Sequence, residues 1–194
     1  MAKSRTAVIE SFRSALAKPI ELDVLLSKAG QKDRTNVEKH LAVMDAAHGA
    51  LWRRLMRALG TLAPLAIQTV GQQAVQFFIA DGKYRMQVFA LEDQSDGQLI
   101  LYVPDVLDEA KKLKVIGGEK GETDGLHIEQ LTASNTPNPS PHYKNMLGWN
   151  RKALRIVLPV GAATEQVETA EHLAALAARA WAGKIQAQEV APKK

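Results

Sequence analysis

From Ser4 to Ala17 the apolar residues Val8, Phe12 and Leu16 recur at every fourth position, the spacing of one helical face. Pro19 suits the first turn of a second helix with Leu22, Leu25, Leu26 and Ala29 as its apolar residues, and Gly30 stands where such a helix ends. A third segment places Val37, Leu41, Met44, His48, Leu51 and Leu55 at alternating steps of four and three. That spacing predicts one long helix from Thr35 to about Gly60 with a narrow apolar seam. Thr35 and Glu38 have the spacing of a capping box, in which the threonine oxygen accepts from the Glu38 backbone N–H and the glutamate reaches back. Such a seam predicts packing on a sheet, on other helices or on a second copy of itself.

Beyond Pro64 the pattern changes to that of strands. Ala74 to Ala80 is apolar and aromatic-rich, and Asp81-Gly82 follows as a hairpin signal. Lys83 to Leu91 then sets Tyr84, Met86, Val88 and Ala90 against Lys83, Arg85, Gln87 and Phe89, and Leu99 to Val103 completes a predicted antiparallel meander. Asp105 is placed to cap a short helix that ends among Lys111, Lys112 and Lys114. Val115-Ile116, Leu126 to Leu131 and Ala153 to Val160 read as further strands. Pro137, Pro139 and Pro141 make the stretch 132–145 a loop, and Thr164 to Trp181 is a closing amphipathic helix.

This order predicts an α+β fold: about three N-terminal helices and a C-terminal helix on one face of a mostly antiparallel sheet of five to six strands. One domain is expected over 1–182, with a helical part (1–64) and a sheet part with its closing helix (65–182), followed by a flexible tail, 183–194.

Composition removes several chemistries. The chain of 194 residues has no cysteine, which excludes disulfides, thiolate metal sites and cysteine nucleophiles. No apolar run reaches membrane-spanning length, and 1–13 mixes charges with isolated apolar residues, so a cytoplasmic protein without a membrane partner is expected. Charge is unevenly spread: 11 basic and 6 acidic residues in 1–60, 6 and 11 in 61–130, 8 and 4 in 131–194. Basic ends around an acidic middle favour a homo-oligomer or an acidic protein partner.

Candidate chemistry is sparse, and no motif specifies a catalytic residue, metal or cofactor. Asp45 and His48, and Glu168 and His172, have same-face helical spacing, yet further inward carboxylates are lacking for a bundle metal site. His127 and Glu129 alternate on one strand; with His48 they are the residues that would line a pocket between sheet and helices. His142, in the proline loop, is expected to face water. The stretch Pro141 to Arg155 mixes aromatic and basic residues, and Tyr143, Met146 and Trp149 read as anchors of a long loop. Arg53, Arg54 and Arg57 beside Trp52 form a cationic stripe.

Leu22 to Met44, with Leu25-Leu26, Gly30, Lys32-Asp33-Arg34-Thr35, Val37 and His40-Leu41, resembles a helix-turn-helix of the winged-helix type. It departs from that pattern at Gln31, where an apolar residue is usual, and in the length of its second helix. The resemblance implies that Arg34, Thr35, Asn36 and Lys39 face DNA, joined by the Arg53, Arg54 and Arg57 stripe. Three functions follow as expectations: a non-catalytic binding or self-association module first, then a nucleic-acid-binding protein, then an enzyme or small-ligand protein. The first assumes that the ionisable side chains do not converge on a common point.

Overall fold

The computed structural model describes residues 22–27, 29–60, 65–71, 73–81, 84–94, 96–112, 126–144 and 152–190. Its elements are α1 (Leu22–Leu26), α2 (Gln31–Val43), α3 (Ala46–Gly60), β1 (Leu65–Val70), β2 (Ala74–Asp81), β3 (Tyr84–Asp93), β4 (Leu99–Pro104), α4 (Leu107–Lys112), β5 (His127–Thr132), β6 (Lys152–Leu158) and α5 (Thr164–Val190). The six strands form one sheet in the order β1-β2-β3-β4-β6-β5, with every neighbouring pair antiparallel. The α+β expectation holds, with helices from both ends of the chain flanking the sheet. Helix Ser4–Ala17, strand Val115-Ile116, the glycine-rich stretch 117–125, the anchors Met146 and Trp149, and the tip residues Gly82 and Lys83 lie outside the described residues.

The expected long helix is two helices. Met44 takes an extended conformation (φ −75°, ψ 145°), and Asp45 then caps the new start: its Oδ1 accepts from the backbone N–H groups of Ala47 (3.0 Å) and His48 (2.9 Å). An aspartate favours such a cap over a helix interior, because its short carboxylate competes for backbone donors. The capping box is displaced as well. Helix α2 starts at Gln31 behind Gly30 with no side-chain cap, while Glu38 accepts from Arg34 Nε at 2.8 Å. Despite the break the seam serves one purpose. Val37 and Leu55 are buried, and Leu41, Met44 and Leu51 pack against the same core.

That core lies between the helices and one face of the sheet. Trp52, Leu55, Met56 and Leu59 of α3 meet Phe77, Phe89, Leu91, Leu101 and Ile156 from the strands, and Val167, Ala170, Leu173 and Ala177 of α5 complete it. Burying each large apolar side chain stabilises by about 1.5–3 kcal/mol. Small residues on α5 let its backbone lie close to β4. A smaller cluster occupies the opposite face: Ala90, Ile100, Tyr102, Leu131, Tyr143 and Ala153, with the Tyr102 and Tyr143 rings stacked at 4.8 Å.

Three further differences have local causes. Strand β1, unforeseen, carries the β-branched residues Ile67, Thr69 and Val70 and turns into β2 around Gly71 at φ 63°. In β3, Phe89 pairs with Phe77 but Gln87 with Phe78, so Val88 is a bulge. The bulge breaks the simple alternation: Gln87 shares a face with Ala90 instead of with Phe89. Finally, α5 continues to Val190, through much of the expected tail. No helix among the described residues is long and apolar enough to cross a membrane.

Candidate functional site

The end of β3 organises the polar interior. Glu92 and Asp93 are consecutive on an extended strand, so their side chains leave opposite faces of the sheet. Each carboxylate gathers imidazole on its own side.

On the helix side, Asp93 sits between α2 and α3. His48 Nε2 lies 2.6 Å from Oδ1 and His40 Nε2 lies 2.9 Å from Oδ2, the latter without the alignment of a good hydrogen bond. The three side chains are only 9–12% exposed. The Asp45 cap fixes the first turn of α3 and with it the position of His48. The His40 ring stands edge-on to buried Trp52, with centroids 6.2 Å apart. Burial lowers the His40 pKa below the ordinary imidazole value; Asp93 offsets this in part, and the nearby His48 adds to it. His40 therefore resists taking up a proton in this site.

On the other side, Glu92 begins a row across the strands. Its Oε2 accepts from the Tyr102 hydroxyl at 2.9 Å, and its Oε1 from Gln94 Nε2 at 2.5 Å. Tyr102 is paired directly with Arg155 of β6, and Arg155 in turn with Glu129 of β5, whose carboxylate is 3.7 Å from the guanidinium. His142 Nδ1 approaches Glu92 Oε2 to 2.7 Å, off the line of a hydrogen bond. The segment bearing His142 is clamped from below. Buried Gln76 donates to the carbonyl oxygens of Pro141 (2.7 Å) and His142 (3.2 Å), and fully buried Gln87 also donates to that of His142. Burial alone would raise the Glu92 pKa, but His142, Tyr102 and Arg155 outweigh it and hold the carboxyl below its ordinary value. Burial, and then Glu92, push the Tyr102 phenol well above its usual range. At neutral pH this is a carboxylate receiving a phenolic O–H.

His142 thus does not face water as expected: its side chain is 20% exposed and turned onto the sheet. The proline-rich segment has few free donors of its own, so the two glutamine amides supply the bonds that hold it. Its expected anchor Tyr143 is buried.

The sequence candidates for nucleic-acid contact do not share one free face. Arg34 pairs with Glu38, and Thr35 and Lys39 are exposed on α2. Asn36 donates to Thr69 Oγ1 at 2.9 Å, and Thr69 in turn donates to Asp33, which ties this turn of α2 to β1. Arg54 grips Glu171 of α5 through two bonds of 2.9 and 3.0 Å, and Arg57 is half-buried. Arg53 borders a cleft of about 320 Å³ lined by Asp23, Leu26, Glu38, Leu41 and Ala42. A second cleft of about 430 Å³ lies among Lys32, Asp33, Asn36, Gln68, Thr69 and Gly71. Of the expected pocket residues, His127 and Glu129 are exposed on the edge strand β5, remote from His48 in the sheet order.

No motif along the chain marks His40, Asp93, Glu92 and Tyr102, and their meeting overturns the expectation that the ionisable side chains do not converge. The only local signal was the adjacent carboxylate pair closing β3; the imidazoles arrive from segments 45 and more residues away. Glu168 and His172, spaced for a metal, are both exposed. Among the described residues no group of three His, Cys, Asp or Glu side chains is arranged to hold a metal ion. Compared with protein-family models, curated proteins and solved structures, the chain finds no match in any of the three.

Proposed function

We propose that the chain is a non-catalytic module that acts by self-association, through the face formed by α1, α2 and α3. The observation that carries this reading is the surface around the smaller cleft. Val43, next in sequence to Ala42 of the cleft, is 80% exposed, and Val24, next to Asp23, is 53% exposed. The cleft combines apolar Leu26 and Leu41 with carboxylates of Asp23 and Glu38 and the guanidinium of Arg53. A two-fold contact sets a patch against itself, so a patch carrying both signs of charge is self-complementary. The carboxylates at the end of β3 and Arg54 of α3 are engaged within the chain: Asp93 by two imidazoles, Glu92 by Tyr102 and Gln94, Arg54 by Glu171. The nucleic-acid reading draws less support, because Asn36 and Arg54 are committed to partners in the chain.

Light scattering on gel-filtered protein tests the reading. A dimer is expected, and Val43→Glu should weaken it at least about tenfold, since a carboxylate forced into an apolar contact is strongly disfavoured. A strict monomer at all concentrations, or a dimer indifferent to Val43→Glu, would sink it.

A second reading, a small-ligand or acid–base site, is favoured by the meeting of His40, His48 and Asp93 between helices and sheet. Its test is a screen of small polar compounds followed by the His40 and His48 ring signals. Ligands that bind Asp93→Asn as well as they bind the native chain would count against it.

A further inference from the structure

Two helices are fastened to β3 through one carboxylate. His40 comes from the last turn of α2 and His48 from the first turn of α3, with the break at Met44 and Asp45 between them. The helices also share buried Val37 and Trp52 with the core, but in polar terms Asp93 is their common anchor on the strand end.

Charge counting shows what acid does to this arrangement. With both imidazoles neutral the cluster carries −1, held by the carboxylate. A first proton brings it to zero, and one imidazolium beside one carboxylate is a satisfied pair. A second proton leaves net positive charge in a site only 9–12% exposed, and the two rings then repel across the carboxylate they share. The charges acting on His40 are Asp93 from β3 and His48 from α3, whereas Glu38 and Lys39 on its own helix are exposed to solvent. Asp45 lies between the helices but is turned to the backbone N–H groups of Ala47 and His48, and Trp52 brings only an indole.

We propose that the His40–Asp93–His48 cluster is an acid-operated latch, which holds the last turn of α2 and the first turn of α3 on the end of β3 at neutral pH and releases them when the cluster takes up a second proton. The direction agrees with the burial effect on His40: a histidine that resists its proton in the closed form must draw the equilibrium toward an open form once protonated. Val37 and the Asp33 and Asn36 bonds to Thr69 hold the rest of α2, and Trp52, Leu55, Met56 and Leu59 hold the rest of α3, in the core shared with the strands and α5, so the release is local to the last turn of α2 and the first turn of α3. The latch rests on this cluster alone and stands or falls independently of the proposed self-association.

Amide hydrogen exchange of the full chain, taken from about pH 8 to about pH 5 beside NMR titration of the histidine rings, tests it. After correction for intrinsic exchange chemistry, opening of the last turn of α2 and the first turn of α3 should rise at least about tenfold across the titration of His40, the equivalent of one unit of proton linkage, while β3 and β4 stay protected. His40→Gln keeps a donor but cannot take the second proton, and should stay closed throughout. The latch is overturned if the native helices open no faster in acid, if His40→Gln opens as the native chain does, or if the sheet exchanges together with the helices. Should the variant not fold, the native protein still decides: helix opening must follow the His40 ring titration, and opening with a different midpoint refutes the proposal.

Discussion

Glu92 and Asp93 are neighbours in the chain, and each meets imidazole, yet the two sides of the sheet use that chemistry differently. Asp93 lies under regular helices, and its partners are fixed by the caps and periodicity of α2 and α3. Glu92 lies under an irregular proline-containing segment, which the sheet itself must hold through Gln76, Gln87 and Tyr102. A helix satisfies its own backbone and needs only a side-chain tether. An irregular segment leaves backbone carbonyls over, and the amides below it meet that need. The same carboxylate–imidazole pairing thus serves as a hinge pin on one face and as part of a clamp on the other.

The largest effect that would break this comparison is expected from Asp93→Ala. Removing the shared carboxylate leaves buried His48 without its acceptor and takes away the close neighbour of His40, and should cost about 1.5–3 kcal/mol in urea unfolding. A loss under about 1 kcal/mol would mean that the tether is incidental. Next comes Gln87→Leu on the other face. It removes a buried donor to His142 but also an Oε1 that has no hydrogen-bond partner, so a loss of about 1–2 kcal/mol is expected. The effect should centre on the 140–144 segment, read as faster proteolysis there.

The pH dependence should separate the faces further. The folded-state pKa of Glu92 is depressed, so its contribution is complete above its unfolded value near 4.5 and is lost as the pH falls through the lower folded value. His40 is depressed too, and as a base it gives stability above about 6.5 that is lost as pH falls from there. Glu92→Gln should therefore flatten the acid limb below 4.5 and leave the change below 6.5 intact, and His40→Gln should do the reverse. The smallest effect is expected for Arg54→Ala. Its bidentate pair with Glu171 joins α3 to α5, but a side chain 42% exposed is screened by water, and at most about 0.5 kcal/mol should be lost.

Much of the architecture was legible along the chain. The switch from helical to strand periodicity near residue 65, the β2–β3–β4 meander, the short α4 behind Asp105 and the alanine-rich closing helix all arise from local patterns. The helix break at Asp45 was written in the sequence as well, since an aspartate before Ala46 is a cap, but a continuous apolar seam masked it. The bulge at Val88 was not legible: it costs one ladder position and is decided by how β2 and β3 meet their neighbours.

By itself the sequence determined most of the elements, the α+β class and the absence of thiol chemistry, because periodicity, caps and composition act within a few residues of one another. Only the tertiary structure decided that His40 and His48 share Asp93, and that Glu92, Tyr102, Arg155 and Glu129 line up across four strands. Those meetings depend on strand order, register and the angle at which helices cross a sheet. They are set by packing of the whole core, which no local window of residues contains.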